Sequence, residues 1–308
     1  MILSLILASG IGIFCINYYT VHLVFGLTEK VNSTIHAPIN LQKIETKKVH
    51  VGDIDMDYKI FGKGKPLILI NGFSVPLDFW DPTLLQNLAY NHTVITFDNR
   101  GIGNSTSGDK NFTIAQFAND TTSLMDAINI KKADVMGWSM GGMIAQELAL
   151  IHPDKVDKLI IYGSTCGGRE SKQPSPNVSS AFENLPVSNQ ERLKKFMPFL
   201  FPEKWIADNP DSIQHLPMIT GKIPIETLKK QTGAIINWVG TCDRLNKISN
   251  PTLVVVGTKD VITVPANSLM IAEKIPGAWL IQIQGGGHAL MFQYPEEFSR
   301  VILTFLQS

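Results

Sequence analysis

Short apolar runs, broken by few polar residues, recur along the chain after residue 66. Runs of this kind are typical of strands that are buried on both faces of a sheet. Two earlier runs, 41–51 and 54–61, are separated by Gly52-Asp53 and predict a hairpin that opens the domain. The later strands are predicted at residues 67–70, 93–97, 133–136, 159–162, 252–256 and 279–283.

Helical patterns separate most of these runs. A chain in which strands alternate with helices folds as an α/β domain, with a mostly parallel sheet flanked by helices on both faces. We therefore expect one domain of this class over residues 41–308. Its helices are predicted at residues 82–89, 113–128, 143–151, 266–274 and 295–306.

The alternation fails once, between residues 166 and 248. Polar turns around Gln173-Pro174-Ser175-Pro176 and amphipathic pieces near 191–200, 203–208 and 225–239 replace the expected buried strand. We predict an inserted helical lid at about 166–248. Its aromatic residues could line a substrate pocket, although most such residues in a helical insertion belong to the core. They are Phe196, Phe199, Phe201, Trp205 and Trp238.

The composition changes this picture little. With 308 residues, of which 44% are hydrophobic and 18% charged, the chain can bury a large core. Its formal net charge is zero, so no nucleic-acid partner is expected. The three cysteines lack the close spacing of a metal site. Cys166 and Cys242 could pair in an oxidising compartment, but two free buried thiols are the expected state.

The first 28 residues contain no Lys, Arg, Asp or Glu, and the first charged side chain is that of Glu29. About 20 apolar residues are enough for a helix to cross a bilayer. A signal peptide is the alternative, but its positively charged start and a clean cleavage site are missing. We therefore predict a transmembrane anchor, or an uncleaved signal, over residues 1–28 and a membrane-anchored protein.

Asn-x-Ser/Thr sequons are more frequent than chance placement suggests, which favours an extracytoplasmic catalytic domain. The alternative is a chain rich in Asn, Ser and Thr that carries no glycans. The sequons begin at Asn32, Asn91, Asn104, Asn111, Asn119 and Asn177.

One turn is singled out by its chemistry. Gly137-Trp138-Ser139-Met140-Gly141-Gly142 lies between a predicted strand and a predicted helix. A serine in such a turn, with glycines two positions either side, is typical of a nucleophile elbow. The turn strains the serine backbone, and glycine fits where strand and helix crowd together. Ser139 is therefore the candidate nucleophile, and a tight turn without chemistry is the alternative.

The catalytic groups of a parallel α/β sheet collect where the strands end. Asp260 and His288 each follow one of the last two predicted strands, so the chain order is Ser139, Asp260, His288. A serine hydroxyl needs an imidazole to remove its proton, and a carboxylate holds that imidazole in one tautomer. We predict that these three residues form a catalytic triad. Asp243 is the runner-up acid, disfavoured because it precedes its strand.

The tetrahedral intermediate of acyl transfer needs hydrogen-bond donors for its oxyanion. One predicted donor is the backbone N–H of Met140, directly after the serine. The other is expected in the loop after strand 67–70, where Phe73 is the best candidate.

Four motifs belong together: Asn71-Gly72-Phe73, Asp98-Asn99-Arg100-Gly101-Ile102-Gly103-Asn104-Ser105, the serine turn and Gly287-His288. Together they resemble the α/β-hydrolase fold superfamily, in the branch of small esterases, enol-lactonases and proline iminopeptidases. The resemblance covers about residues 43–308. It implies that the 98–105 turn is structural, so Arg100 is not expected to be catalytic. Asn71 stands where the family commonly has histidine, which bears on loop packing more than on catalysis.

The expected function is that of a serine hydrolase that cleaves a carboxylic ester or lactone of a small acyl substrate through an acyl-enzyme intermediate, with no metal or organic cofactor. One alternative is a proline iminopeptidase-like peptidase, for which only Glu183 or Glu203 is a candidate to hold a substrate amine. A cofactor-free perhydrolase is another. A non-catalytic ligand-binding protein can retain the same triad on this fold.

Overall fold

The computed structural model describes residues 39–211, 216, 217, 219 and 223–308. Within these residues, eight strands form one sheet in the order β1-β2-β4-β3-β5-β6-β7-β8. β2 pairs antiparallel with β1 and with β4, and the other neighbours run parallel. The strands are β1 Lys47–Val51, β2 Ile54–Gly62, β3 Lys65–Ile70, β4 His92–Phe97, β5 Ala133–Trp138, β6 Val156–Tyr162, β7 Thr252–Gly257 and β8 Trp279–Ile283.

Helices cover the sheet on both faces, because alternate side chains of the central strands feed two separate apolar layers. In β3, Ile68 and Ile70 belong to one layer, and Leu67 and Leu69 belong to the other. This confirms the predicted α/β class. The helices are α1 Pro82–Ala89, α2 Ile114–Ala127, α3 Met140–Ile151, α4 Pro176–Glu183, α5 Asn189–Leu200, α6 Glu203–Asp208, α7 Ile225–Ile236, α8 Pro265–Lys274, α9 Leu290–Gln293 and α10 Pro295–Gln307.

Several helices begin where the sequence supplies a side-chain cap. Asp81 accepts a hydrogen bond from the N–H of Leu84, Thr113 from that of Gln116 and Ser188 from that of Glu191. Such caps satisfy amide donors that have no partner within the helix. The starts of α1, α2 and α5 are therefore fixed locally.

Two local differences from the predicted elements have simple causes. The first strand begins at Lys47, and a short 3₁₀ turn, Leu41–Lys43, precedes it. The buried ammonium of Lys59 draws in the carbonyl of Leu41 at 2.6 Å, which bends the chain away from the sheet edge. Helix α4 begins at Pro176, where a turn was predicted, because a proline at the first helical position has no N–H to leave unsatisfied.

The helical segment between β6 and β7 is closed at its base by a disulfide. Cys166 and Cys242, 76 residues apart in sequence, lie with their Cα atoms 5.0 Å apart and are bonded. The two ends of the segment run side by side, since the N–H of Thr241 donates to the carbonyl of Cys166 at 2.7 Å. The expectation of two free thiols is therefore wrong.

The predicted membrane anchoring also needs correction. No helix in the described part of the chain is long and apolar enough to cross a bilayer. The long helices α2 and α10 have 14 and 13 residues, against the roughly 20 apolar residues that a span needs. This finding overturns the prediction of a membrane-anchored, extracytoplasmic protein, and the stretch 1–28 that carried it lies outside the described residues.

Candidate active site

Ser139 occupies the turn between β5 and α3 with φ 58° and ψ −118°. A non-glycine residue with positive φ is uncommon and persists only where its surroundings enforce it. Here the Ser139 N–H donates to the carbonyl of Tyr162 at 3.0 Å. The Ser139 carbonyl accepts from the Gly142 N–H at 2.9 Å and from the Ser164 hydroxyl at 2.8 Å. The turn is thus held by hydrogen bonds on both sides of the serine.

The glycines of the turn are required by packing. A Cβ atom on Gly137 would lie 2.1 Å from the carbonyl oxygen of Gly141. A Cβ atom on Gly141 would lie 2.0 Å from the carbonyl oxygen of Ile70, in the neighbouring strand β3. Because both contacts are with backbone atoms, no side chain fits at either position.

Asp260 and His288, which follow β7 and β8, lie in direct contact. His288 Nδ1 is 2.8 Å from Asp260 Oδ2, and the two residues are only 3% and 2% exposed. Asp260 Oδ1 also accepts from the N–H groups of Ile262 and Thr263, each at 2.9 Å. The Thr263 hydroxyl donates to Oδ2 at 2.9 Å. Four hydrogen bonds therefore fix this carboxylate in place.

The environment keeps Asp260 ionised. Burial is the largest single influence on its pKa and acts to raise it, but the charge and hydrogen bond of His288, with the bonds from Thr263, together hold the pKa below its usual range. An ionised carboxylate assigns the imidazole proton to Nδ1, which leaves Nε2 as the basic nitrogen.

The His288 backbone is fixed as firmly as its ring. Its carbonyl accepts from the Trp138 indole N–H at 3.1 Å and from the Tyr162 hydroxyl at 2.8 Å. A Cβ atom on the preceding Gly287 would lie 2.5 Å from the carbonyl oxygen of Leu200, the last residue of α5. The glycine run before the histidine lets its loop pass between the sheet and the helical segment.

Two cavities meet at Ser139. A narrow cavity of about 70 Å³ is lined by Ser139 and His288 together with Phe79, Trp138 and Phe196. A larger cleft of about 760 Å³ also reaches Ser139. In the described part of the chain, no hydrogen bond joins the serine hydroxyl to the histidine ring, although such bonds often form only when substrate is bound.

The loop after β3 passes directly beside the serine. A Cβ atom on Gly72 would lie 3.1 Å from that of Ser139. The next amide belongs to Phe73, and the amide of Met140 opens α3. Among the described residues, neither of these two N–H groups has a hydrogen-bond acceptor. Both predicted oxyanion donors are therefore available to a ligand at the serine.

This loop is held in a strained conformation from two sides. Ser74 has φ 61°, and its N–H donates to Oε1 of Gln231 at 2.9 Å. Gln231 is fully buried in α7. From within the loop, the Asn71 side-chain amide donates to the carbonyl of Pro76 at 2.9 Å. Asn71, which replaces the histidine common in the family, thus braces the loop internally.

Known proteins resemble this chain along most of its length. A family model described as alpha/beta hydrolase fold matches residues 65–202. The RutD protein of Azorhizobium caulinodans, named as a candidate carbamate hydrolase, is 30% identical over 259 residues, which cover 83% of this chain and 96% of that protein. This chain belongs to the α/β-hydrolase fold family. It is therefore a hydrolase by family, and the predicted resemblance is confirmed.

Two solved structures share the fold of this α/β-hydrolase. The enol-lactonase from Burkholderia xenovorans LB400 superposes with a TM-score of 0.74 at 22% identity, covering 85% of this chain and 100% of that one. An esterase from Thermogutta terrifontis gives a TM-score of 0.72 at 24% identity, covering 85% and 98%. At these identities the likeness concerns the fold alone.

The 98–105 turn of this α/β-hydrolase contributes no residue to the lining of either cavity at Ser139. The Arg100 guanidinium is fully buried and paired at 2.8 Å with both Asp53 and Asp120, as expected for a structural residue. Asp98 accepts from the N–H of Leu77 at 2.7 Å. Burial raises the pKa of Asp98 to about 7, although its backbone hydrogen bonds act in the opposite direction.

Other acidic candidates are not assembled with the His288 ring. The Asp243 side chain is 81% exposed and lies 4.0 Å from Nε of the adjacent Arg244. Glu183 lines the larger cleft. Glu203 is exposed on α6. Of the candidate acids, Asp260 is the one that touches His288.

The aromatic residues of the helical segment divide between cavity and core. Phe196 lines the narrow cavity, and Trp238 lines the larger cleft. Phe201 and Trp205 stack on each other with ring centroids 4.9 Å apart, against one of the two apolar layers. Phe199 contacts Phe196 at 6.4 Å between ring centroids.

Two residues of the site escaped sequence analysis. Thr263 supplies two of the four hydrogen bonds to Asp260, and its spacing of three residues after the aspartate is a local signal that could have been recognised. Gln231 reaches Ser74 across 157 residues of sequence, so no local pattern predicts the contact. In the described residues, no group of three or more His, Cys, Asp or Glu side chains could hold a metal ion.

Proposed function

We propose that this protein is a serine hydrolase that cleaves a carboxylic ester or lactone through an acyl-enzyme intermediate. The observation that carries the proposal is the buried Asp260–His288 pair, whose imidazole lines one cavity with Ser139 at its strained turn. A nucleophile, a base and a group that orients the base are the parts that acyl transfer requires.

In the proposed reaction, His288 Nε2 accepts the hydroxyl proton as Ser139 Oγ attacks the carbonyl carbon. The negative charge of Asp260 stabilises the imidazolium that forms, while the N–H groups of Phe73 and Met140 donate to the oxyanion. The C–O bond to the alcohol then breaks, and His288 returns the proton to the leaving oxygen. Water, deprotonated by the same imidazole, then attacks the acyl carbon. The bond from that carbon to Ser139 Oγ breaks, the acid is released, and His288 returns the proton to Oγ.

We further propose that the helical segment between β6 and β7 acts as a lid that sets substrate choice. Phe182 of α4 and Leu193 and Phe196 of α5 contribute to the wall of the narrow cavity. Residues of α4 and α7 also line the larger cleft. Because pocket walls are what distinguish substrates on a shared fold, specificity is assigned to this segment.

Gln231 is proposed as a positioning residue. It holds the N–H of Ser74, which is adjacent to the proposed oxyanion donor Phe73. A donor accelerates the reaction only if it is already aimed at the position of the oxyanion. The lid helix α7 therefore helps to orient the N–H of Phe73.

Hydrolysis of a carbamate is the second candidate, favoured by the 30% identity to the RutD protein of Azorhizobium caulinodans. The attack of Ser139 on the carbonyl would be the same. An aryl carbamate and the matching aryl acetate, assayed side by side, separate the two candidates by their ratio of kcat/KM.

The proposal is tested with p-nitrophenyl esters from acetate to long acyl chains, using the full chain and its Ser139→Ala variant. We expect turnover that falls by about 10⁴-fold or more in the variant. The chain-length profile then measures the size of the acyl site. Equal rates for both proteins would contradict a serine mechanism, and inertness of both proteins toward esters and carbamates would favour a ligand-binding role.

A further inference from the structure

Arg192 places a positive charge in the wall of the narrow cavity. It lies in the first turn of α5, is 3% exposed, and lines the same cavity as Ser139 and His288. The rest of the wall is largely apolar, with residues such as Leu193 and Phe196 beside it. A charged group in such surroundings is normally paired.

Arg192 has no anionic partner among the described residues. Its Nη1 donates to the carbonyls of Pro186 and Val187 at 2.9 and 2.7 Å, and its Nη2 donates to Oδ1 of Asn189. All three acceptors are neutral. A guanidinium carries five N–H donors, so these bonds leave two for a ligand. Two donors on one planar group match the two oxygens of a carboxylate.

The contrast with Arg100 shows what is missing. Arg100 is equally buried, but it is paired with two carboxylates, and hydrogen bonds to Asp53 and Asp120 raise its pKa even though burial acts to lower it. For Arg192, burial lowers the pKa, and no acidic group offsets it. Since an arginine remains charged in proteins at neutral pH, its burial without an anion is costly.

We infer that Arg192 binds a carboxylate of the substrate. This inference rests on the proposed function and narrows it: the preferred substrates are small esters or lactones that carry a second, anionic carboxylate. The narrow cavity, of about 70 Å³, admits a group of that size beside Ser139. Arg169 and Lys172, which line the larger cleft, are exposed and therefore screened by water.

The test compares pairs of esters in which an anionic carboxylate is replaced by its neutral methyl ester. Phenyl hydrogen adipate and methyl phenyl adipate place the charge in the acyl part. A second pair, 3-acetoxybenzoate and methyl 3-acetoxybenzoate, places it in the alcohol part. We expect the wild-type protein to prefer the anionic member of one pair by about tenfold to 100-fold in kcat/KM, because a charge-assisted hydrogen bond forms in a buried site.

In Arg192→Met the ratio of anionic to neutral kcat/KM should fall to about one, and Arg192→Lys should retain part of it. Lys194→Met removes a positive charge from the exposed face of the same helix and should keep the wild-type ratio. Arg169→Met should keep it as well. The inference would be overturned if Arg169→Met lost the preference for the anionic ester while Arg192→Met kept it. It would also be overturned if the wild-type ratio of anionic to neutral kcat/KM were near one for both pairs.

Binding of adipate, measured by calorimetry, tests the inference without turnover and separates its failure from that of the proposed function. Affinity at least tenfold weaker in Arg192→Met than in the wild type supports carboxylate recognition even if no ester is cleaved. Equal affinity of the wild type and Arg192→Met for adipate overturns the inference, even if Ser139-dependent hydrolysis is found. A thermal unfolding curve establishes that each variant is folded, and the neutral variant Arg192→Gln replaces Arg192→Met if the latter is not.

Discussion

The two sides of the narrow cavity are built in different ways. On the sheet side, several hydrogen bonds fix Ser139, and several fix Asp260. The backbone around them packs so closely that a Cβ atom would not fit on the neighbouring glycines. On the side of the helical segment, α5 contributes apolar side chains and the Arg192 cation, which has no anionic partner among the described residues. This segment is bonded to the sheet domain at several points, among them the Trp238–Glu147 and Gln231–Ser74 hydrogen bonds, and the Cys166–Cys242 disulfide ties its two ends together.

The difference indicates that the two sides of the cavity have separate roles in the proposed reaction. The reacting groups need fixed geometry, which strand ends and close backbone packing provide. Substrate choice needs a wall that can vary without disturbing that geometry, and an inserted segment provides it. Changes on the sheet side should therefore abolish turnover, whereas changes in the helical segment should alter stability, loop position or selectivity.

The largest effect is expected from Asp260→Asn. The amide has a similar shape but no charge, and it can hold the imidazole in the wrong tautomer, so kcat should fall by roughly 10⁴-fold. Ester hydrolysis under saturating substrate measures the loss. Asp243→Asn is the matched control, because its exposed side chain lies apart from the site. A comparable loss in the Asp243 variant would show that the acid has been wrongly assigned.

The double variant Cys166→Ser, Cys242→Ser tests how far the disulfide at the base of the helical segment stabilises the protein. The disulfide closes a loop between residues 76 apart, so its removal should lower the free energy of unfolding by about 2–4 kcal/mol. Urea unfolding followed by circular dichroism measures this loss. The three proposed triad residues lie outside the loop that the disulfide closes, so hydrolysis of a small ester should persist at low temperature. Unchanged stability would contradict a stabilising role for the closed base of the segment.

Gln231→Met sharpens the comparison, since it changes the helical segment but acts on the loop after β3 that holds the proposed oxyanion donor Phe73. The Ser74 N–H loses its acceptor, so kcat should fall by about tenfold to 100-fold with little change in KM. Affinity for a boronic acid, which mimics the tetrahedral intermediate, should weaken by a similar factor. Lys229→Met, on the exposed face of the same helix, should do neither. A rise in KM alone would assign Gln231 to substrate binding.

The smallest effect concerns the pH dependence of stability. Asp98 has a folded pKa of about 7, above its unfolded value near 3.9. A carboxyl with a raised pKa stabilises the fold fully below the unfolded value, and the contribution is lost as pH rises through 7. Between pH 6 and 7 the wild type should therefore lose about 1 kcal/mol of unfolding free energy relative to Asp98→Asn. Parallel pH profiles for the two proteins would contradict this.

The strands of the sheet could be predicted from the sequence because the residue patterns that specify them are local. Apolar runs with few polar residues mark β3 to β7, and the glycines around Ser139 mark the turn that the packing requires. The positions of Asp260 and His288 could be predicted because strand ends meet at one edge of a parallel sheet. The 2.8 Å distance between these two side chains depends on the sheet topology, which brings the two strand ends together, as much as on the two residue types.

Less of the helical segment could be predicted, since the contacts that specify it join residues far apart in sequence. The start of α4 at Pro176 resembles a turn, and the pairing of Cys166 with Cys242 depends on how two distant ends meet. Arg192 lies on an amphipathic helix, where an arginine ordinarily faces water. Only the packed structure shows that it is buried in the wall of the cavity that Ser139 also lines.

The central claim is that Ser139 forms a covalent acyl-enzyme with the help of His288. Its most direct test is the intact mass of the protein after treatment with a fluorophosphonate, followed by peptide mapping. We predict one adduct, located on Ser139, that forms in the wild type and at least 100-fold more slowly in His288→Ala. Absence of an adduct, or an adduct on another residue that persists in Ser139→Ala, would contradict the proposed mechanism.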